Sequence, residues 1–136
     1  MISLLLIAMI NCDDEYEDCL NRYAAPKAKE VVQNFRNHQS SKNLDIVYNI
    51  CRQQFICVFS KISPTIEIVK DYMYKDIYVK IFQTVNDSEL SMIINYYWRQ
   101  KDTTKTENLC YTLLGDNFDC KGLVDSFLDY GNRKFS

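Results

Sequence analysis

The chain is poor in punctuation: 3 glycines and 2 prolines among 136 residues. A sandwich or barrel of many short strands needs turn residues at every reversal, so that scarcity excludes such folds and favours helices. Histidine is nearly absent as well. His38, the one histidine, sits in the polar connector NHQSSKN and reads as a surface side chain, which leaves a serine or cysteine nucleophile without its usual base. No CxxC occurs among the six cysteines, and with a single histidine this argues against a zinc centre. There is no glycine-rich phosphate loop, P-loop lysine or GxSxG. Basic and acidic residues number 16 and 18, give a net charge of -2 and are interspersed, so no basic patch marks a nucleic-acid surface. The acids Asp13/Asp14, Glu15/Glu17/Asp18 and Asp116/Asp119 lie near helix starts or caps, where carboxylates have ordinary structural roles. No enzyme, metal or cofactor is expected.

What remains is a chain of one domain's length, 47% hydrophobic, enough for its own core. Its first ten residues, MISLLLIAMI, form an uninterrupted apolar run that stops abruptly at NCDDEYED. The run is too short to span a bilayer and fits the apolar part of a secretory signal, with residues 1–11 as the signal and 12–136 as the mature domain. The competing reading is a buried N-terminal helical turn. No later stretch is apolar and long enough for stable membrane insertion. An even number of cysteines agrees with export to an oxidising compartment. Asn86-Asp87-Ser88 is the one glycosylation sequon and predicts an exposed Asn86 if the chain is secreted.

The strongest periodicity runs from Asn43 to Ser60, where Leu44, Val47, Tyr48, Cys51, Phe55, Val58 and Phe59 share one helical face. Ser40, Ser41 and Asn43 supply its cap, and the pattern predicts a hub helix. Asp13 to His38 predicts one helix or a bent pair, with Pro26 either kinking it or opening a second helix whose face is Ala28, Val31, Val32 and Phe35. Ser63-Pro64 marks a new start. Beyond it Ile66, Val69, Met73 and Ile77 are helically spaced, while Ile77 to Phe82 also alternates as a strand would; helix is favoured. Asn86 followed by Glu89 resembles a capping box for a helix bearing Leu90, Ile93, Ile94, Tyr97 and Trp98. The polar run Arg99 to Glu107 is a loop or helix entry. Two last helices carry Leu109, Cys110, Leu113 and Leu114, ending at Gly115, and Cys120, Leu123, Val124, Phe127 and Leu128, ending near Gly131. The ten tyrosines are expected on the rims of helix packing. The sum is an all-α, disulfide-stapled bundle of about five or six helices.

Cys12 and Cys19 would lie about 10 Å apart along a helix, and Cys51 and Cys57 about 9 Å. A disulfide needs Cα atoms within roughly 7 Å, so neither pair can close on a continuous helix and each cysteine should bond outward, Cys51 and Cys57 to different elements. Cys110 and Cys120 are also read as separately bonded, unless Gly115 turns the chain enough to bring them together.

Known helical secreted families with six cysteines or similar stapling differ in spacing: odorant-binding proteins of insects, saposin-like lipid binders and secreted phospholipases each need a cysteine pattern that is absent. VYNICRQQFICVF, from Val47 to Phe59, and LCYTLLGDNFDC, from Leu109 to Cys120, resemble the small secreted cysteine-patterned helical domains of nematodes, a family of unknown function. The resemblance implies secretion, an all-α disulfide fold and no known activity. The chain is thus expected to be a secreted, extracellular, non-enzymatic domain that binds another protein. The alternative is a carrier of a small apolar ligand in a cavity between helices, suggested by the abundance of Ile, Leu, Phe and Tyr.

Overall fold

A computed structural model describes the backbone of residues 2–37, 39, 41–59 and 66–135 and the side chains of residues 14–37, 39, 41–58 and 70–128. Six helices account for it: α1 (Ile2–Arg36), α2 (Lys42–Phe59), α3 (Ile66–Val85), α4 (Ser88–Gln100), α5 (Thr103–Leu114) and α6 (Cys120–Phe135). Among the described residues there is no strand. The all-α, disulfide-stapled bundle is therefore the fold.

α1 is a single element with Pro26 inside it. Pro26 is exposed while Ala24 and Ala28 on either side of it are buried, so the ring that cannot donate a hydrogen bond projects into solvent and the core stripe passes it uninterrupted. That stripe is Tyr16, Cys19, Leu20, Ala24, Ala28, Val31 and Phe35, spaced by three and four except for the adjacent Cys19 and Leu20, and it packs on both α2 and α3.

The centre of the bundle is α3 and not α2, the hub that periodicity suggested. α2 packs on α1 and α3, whereas α3 packs on α1, α2, α4 and α6. An element covered on several sides buries more than one stripe, which is why its pattern is ambiguous in sequence. Met73, Tyr74, Ile77, Tyr78, Ile81 and Phe82 are all buried, in adjacent pairs that a strand-like alternation imitates.

Five tyrosines are core residues, whereas Tyr23, Tyr96 and Tyr111 are half-buried at the rims, where tyrosines were expected. Tyr16, Tyr48, Tyr74, Tyr78 and Tyr97 are buried. Tyr48 of α2 stacks on Tyr74 of α3 with ring centroids 4.8 Å apart and planes within 9°. Phe127 of α6 meets Phe35 at 5.9 Å, Tyr78 at 6.1 Å and Tyr97 at 5.3 Å, so one ring joins helices from both ends of the chain. Such pairs add roughly 0.5–1.5 kcal/mol each beyond the area they bury.

Turn chemistry fixes the second half. α3 ends at Asn86, in the left-handed region at φ 56°, with its N–H bonded to the carbonyl of Phe82 at 2.8 Å. The N-cap of α4 is Asp87, one residue later than the expected Asn86; its Oδ1 accepts from the Leu90 amide at 3.2 Å. Arg36 of α1 donates to the other carboxylate oxygen, Nη2 at 2.8 Å, and so ties the end of α1 to the start of α4. Lys101 and Asp102 alone separate α4 from α5, so the polar run from Arg99 is a helix entry, with Asp102 accepting from the Lys105 amide at 3.0 Å. Gly115 ends α5 at φ 94°, as expected. Gly131 does not end α6, which continues to Phe135.

Candidate functional site

Two disulfides are placed by these elements. Cys19 of α1 bonds Cys51 of α2, Cα atoms 5.7 Å apart across 32 residues. Cys110 of α5 bonds Cys120 of α6, also at 5.7 Å, across 10 residues. The second corrects the reading of these two cysteines as separately bonded: α5 stops at Leu114, Gly115 adopts a backbone that L residues rarely reach, and the chain reverses within five residues. Cys57 is disulfide-bonded too, and among the described residues there are no free cysteines. The side chain of Cys12 lies outside the described residues, as do those of residues 1–11, read as a signal. His38, Ser40 and the Ser63-Pro64 start are also outside them. Asn86 is exposed, and so is Ser88.

Three places can do chemistry or make contact. The first is a cleft of about 310 Å³ lined by Asp71, Tyr72, Lys75, Trp98 and Lys101. Asp71 and Tyr72 are adjacent on α3 and Lys75 lies one turn further on, and Trp98 is in the last turn of α4. Lys101 follows in the left-handed region, φ 57°, its N–H bonded to the Tyr97 carbonyl at 2.7 Å. That turn brings its ammonium back over the helix it ends: Nζ lies 3.7 Å from the centroid of the Trp98 ring and 3.1 Å from Oδ2 of Asp71. Burial pulls the Lys101 pKa down, the bond and charge of Asp71 oppose this, and the nearby Lys75 charge lowers it further. The indole Nε1 of Trp98 is buried without a hydrogen-bond partner. Nothing in the sequence pattern announced this group, because Trp98 reads as one more core position of α4 and the lysine is brought in by a left-handed turn.

The second is the outward face of α2. Ile46, Ile50 and Ile56 are 41%, 39% and 38% exposed, separated only by uncharged or basic exposed side chains from Lys42 to Cys57. Ile50 also lines a smaller cleft of about 200 Å³ with Glu15, Asp18, Cys19, Arg22, Tyr23 and Gln54. Both of these clefts are rimmed by ionic groups.

The third is a buried polar pair. The Tyr16 hydroxyl donates to Oδ2 of Asp76 at 3.1 Å, joining α1 to α3. Burial raises the pKa of both groups, and Asp76's charge raises that of Tyr16 further. Of the acids singled out in sequence, Glu15 and Asp18 share the smaller cleft, where Asp18 is bonded by Arg22 at 2.8 Å. Among the described residues no group of carboxylates, histidines and cysteines could hold a metal ion, and no helix is long and apolar enough to cross a membrane.

No family model, no curated protein and no solved structure matches this chain.

Proposed function

We propose that the chain is a secreted, non-enzymatic binding domain whose contact surface is the outward face of α2. The observation that carries this is the row of three exposed isoleucines on a helix stapled to α1. Leaving about 40% of each side chain in water forgoes roughly 2–3 kcal/mol of burial in total. Scattered apolar side chains need no explanation, but three on the outer side of one helix, with no fully exposed acidic residue of α2 between them, make a contact surface for another protein. Export is supported by the buried Cys19–Cys51 and Cys110–Cys120 disulfides, which persist in oxidising compartments, and by the apolar run over residues 1–10. The resemblance to secreted helical domains of nematodes points the same way. On an exported chain, Asn86, exposed at the turn between α3 and α4, is the site of an N-linked glycan.

The test immobilises the purified mature chain beside its Ile46→Ser/Ile50→Ser/Ile56→Ser variant and passes extracellular fluid of the source organism over both. A saturable protein capture that falls at least tenfold in the variant, with an unchanged helical circular dichroism signal, is expected. Equal capture by the two surfaces removes α2 as the contact face.

A further inference from the structure

We infer that the cleft between α3 and the end of α4 is a binding site for a small molecule carrying one oxyanion, a carboxylate or a phosphate or sulfate monoester. The inference is independent of the α2 face.

The volume, about 310 Å³, is at the lower end of small-ligand clefts. The lining brings two ammonium groups, Lys75 and Lys101, together against one carboxylate, Asp71. Lys101 is engaged by Asp71, whereas Lys75 makes no hydrogen bond or ion pair among the described residues. Among the described lining residues the cleft therefore carries one more positive than negative charge. Asp76 is also near Lys75, and its carboxylate accepts from Tyr16 of α1.

The donor inventory points the same way. Trp98 walls the cleft and is 7% exposed. Lys75 and Lys101 both donate, and Asp71, the one carboxylate of the described lining, is occupied by Lys101. An oxyanion fits that set, and a cation does not. Tyr72, 47% exposed, gives the organic part of the ligand a ring to lie against at the cleft wall. Lys101 sits over the face of Trp98 at 3.7 Å, so an anion drawing it off Asp71 changes the surroundings of the indole directly.

Trp98 is the single tryptophan of the chain, so the indole emission comes from the wall of this cleft. Benzoate, phenyl phosphate and phenyl sulfate are titrated into the folded protein at constant ionic strength, with benzylamine and benzyl alcohol as cationic and neutral controls. A saturable change with at least one anion and with neither control is expected, and the anion that binds tightest identifies the oxyanion class. Lys75→Met should weaken that binding at least tenfold with helical content unchanged. Asp71→Asn, which frees Lys101, should leave it equal or tighter. The inference is overturned if no anion gives a saturable response, if benzylamine gives an equal one, or if Lys75→Met binds as the native chain does.

Discussion

Removing each disulfide in turn should destabilise the bundle in an order set by loop length. In the chain-entropy description a cross-link closing 32 residues restricts the unfolded chain by about 3.7 kcal/mol at 25 °C, and one closing 10 residues by about 2.7 kcal/mol. Alanine is the right replacement: Cys51, Cys110 and Cys120 are fully buried and Cys19 nearly so, so serine would bury hydroxyls in an apolar setting. Each alanine pair leaves a similar small void, which cancels when the two variants are compared. Cys19→Ala/Cys51→Ala should therefore lose about 1 kcal/mol more than Cys110→Ala/Cys120→Ala. With an m-value of roughly 2 kcal/mol/M in urea, midpoints should fall by about 1.8 M and about 1.3 M respectively, followed by far-ultraviolet circular dichroism. A larger loss for the α5–α6 pair, or a loss under about 1 kcal/mol for either, would refute the reasoning.

Three further outcomes follow from named residues. A non-reducing peptide map should return Cys19 with Cys51 and Cys110 with Cys120, and should recover Cys57 only in a cross-linked peptide; Cys57 found alkylated as a free thiol would contradict this. Asp87→Ala should destabilise by about 1–2 kcal/mol in thermal unfolding, since it removes both the α4 cap and the partner of Arg36 while leaving the sequon intact; Arg36→Ala should lose under about 1 kcal/mol. Burial lifts the Asp76 pKa above its ordinary 3.8 against the opposing bond from Tyr16 and the charge of Lys75. A carboxylate raised in this way contributes stability below its ordinary value that is lost as pH rises through the raised one. Asp76→Asn should remove that decline, so native and variant unfolding midpoints, compared from pH 3.5 to pH 7, should diverge as pH rises; a constant difference would show that Asp76 titrates as in the unfolded chain.

The helices themselves were legible wherever one face was buried. Leu90, Ile93, Ile94, Tyr97 and Trp98 were expected on the inner face of α4 and are all buried, because a helix covered on one side keeps a single stripe. α3 resisted the same reading, since four neighbours erase the contrast between its faces. The Gly115 reversal was visible as a glycine, but that Cys110 and Cys120 meet across it depends on the length of α5, which a composition of half-buried leucines did not fix. The ionic cleft was not legible at all. Asp71 and Lys101 are 30 residues apart, and only the turn of Lys101 into the left-handed region brings the second charge onto the first helix.

The two described cross-links of known pairing both join neighbours in the sequence, α1 with α2 and α5 with α6. Neither touches α3, which is held by side-chain packing and by the polar links of Asp76 to Tyr16 and of Asp71 to Lys101. Amide protons of α3 should nonetheless exchange with deuterium most slowly, because every outer helix that packs on it must part before its backbone meets water. Reductant would then loosen the flanking hairpins first and leave a protected aromatic centre, so that loss of the sulfur bonds and loss of the fold become two separable events.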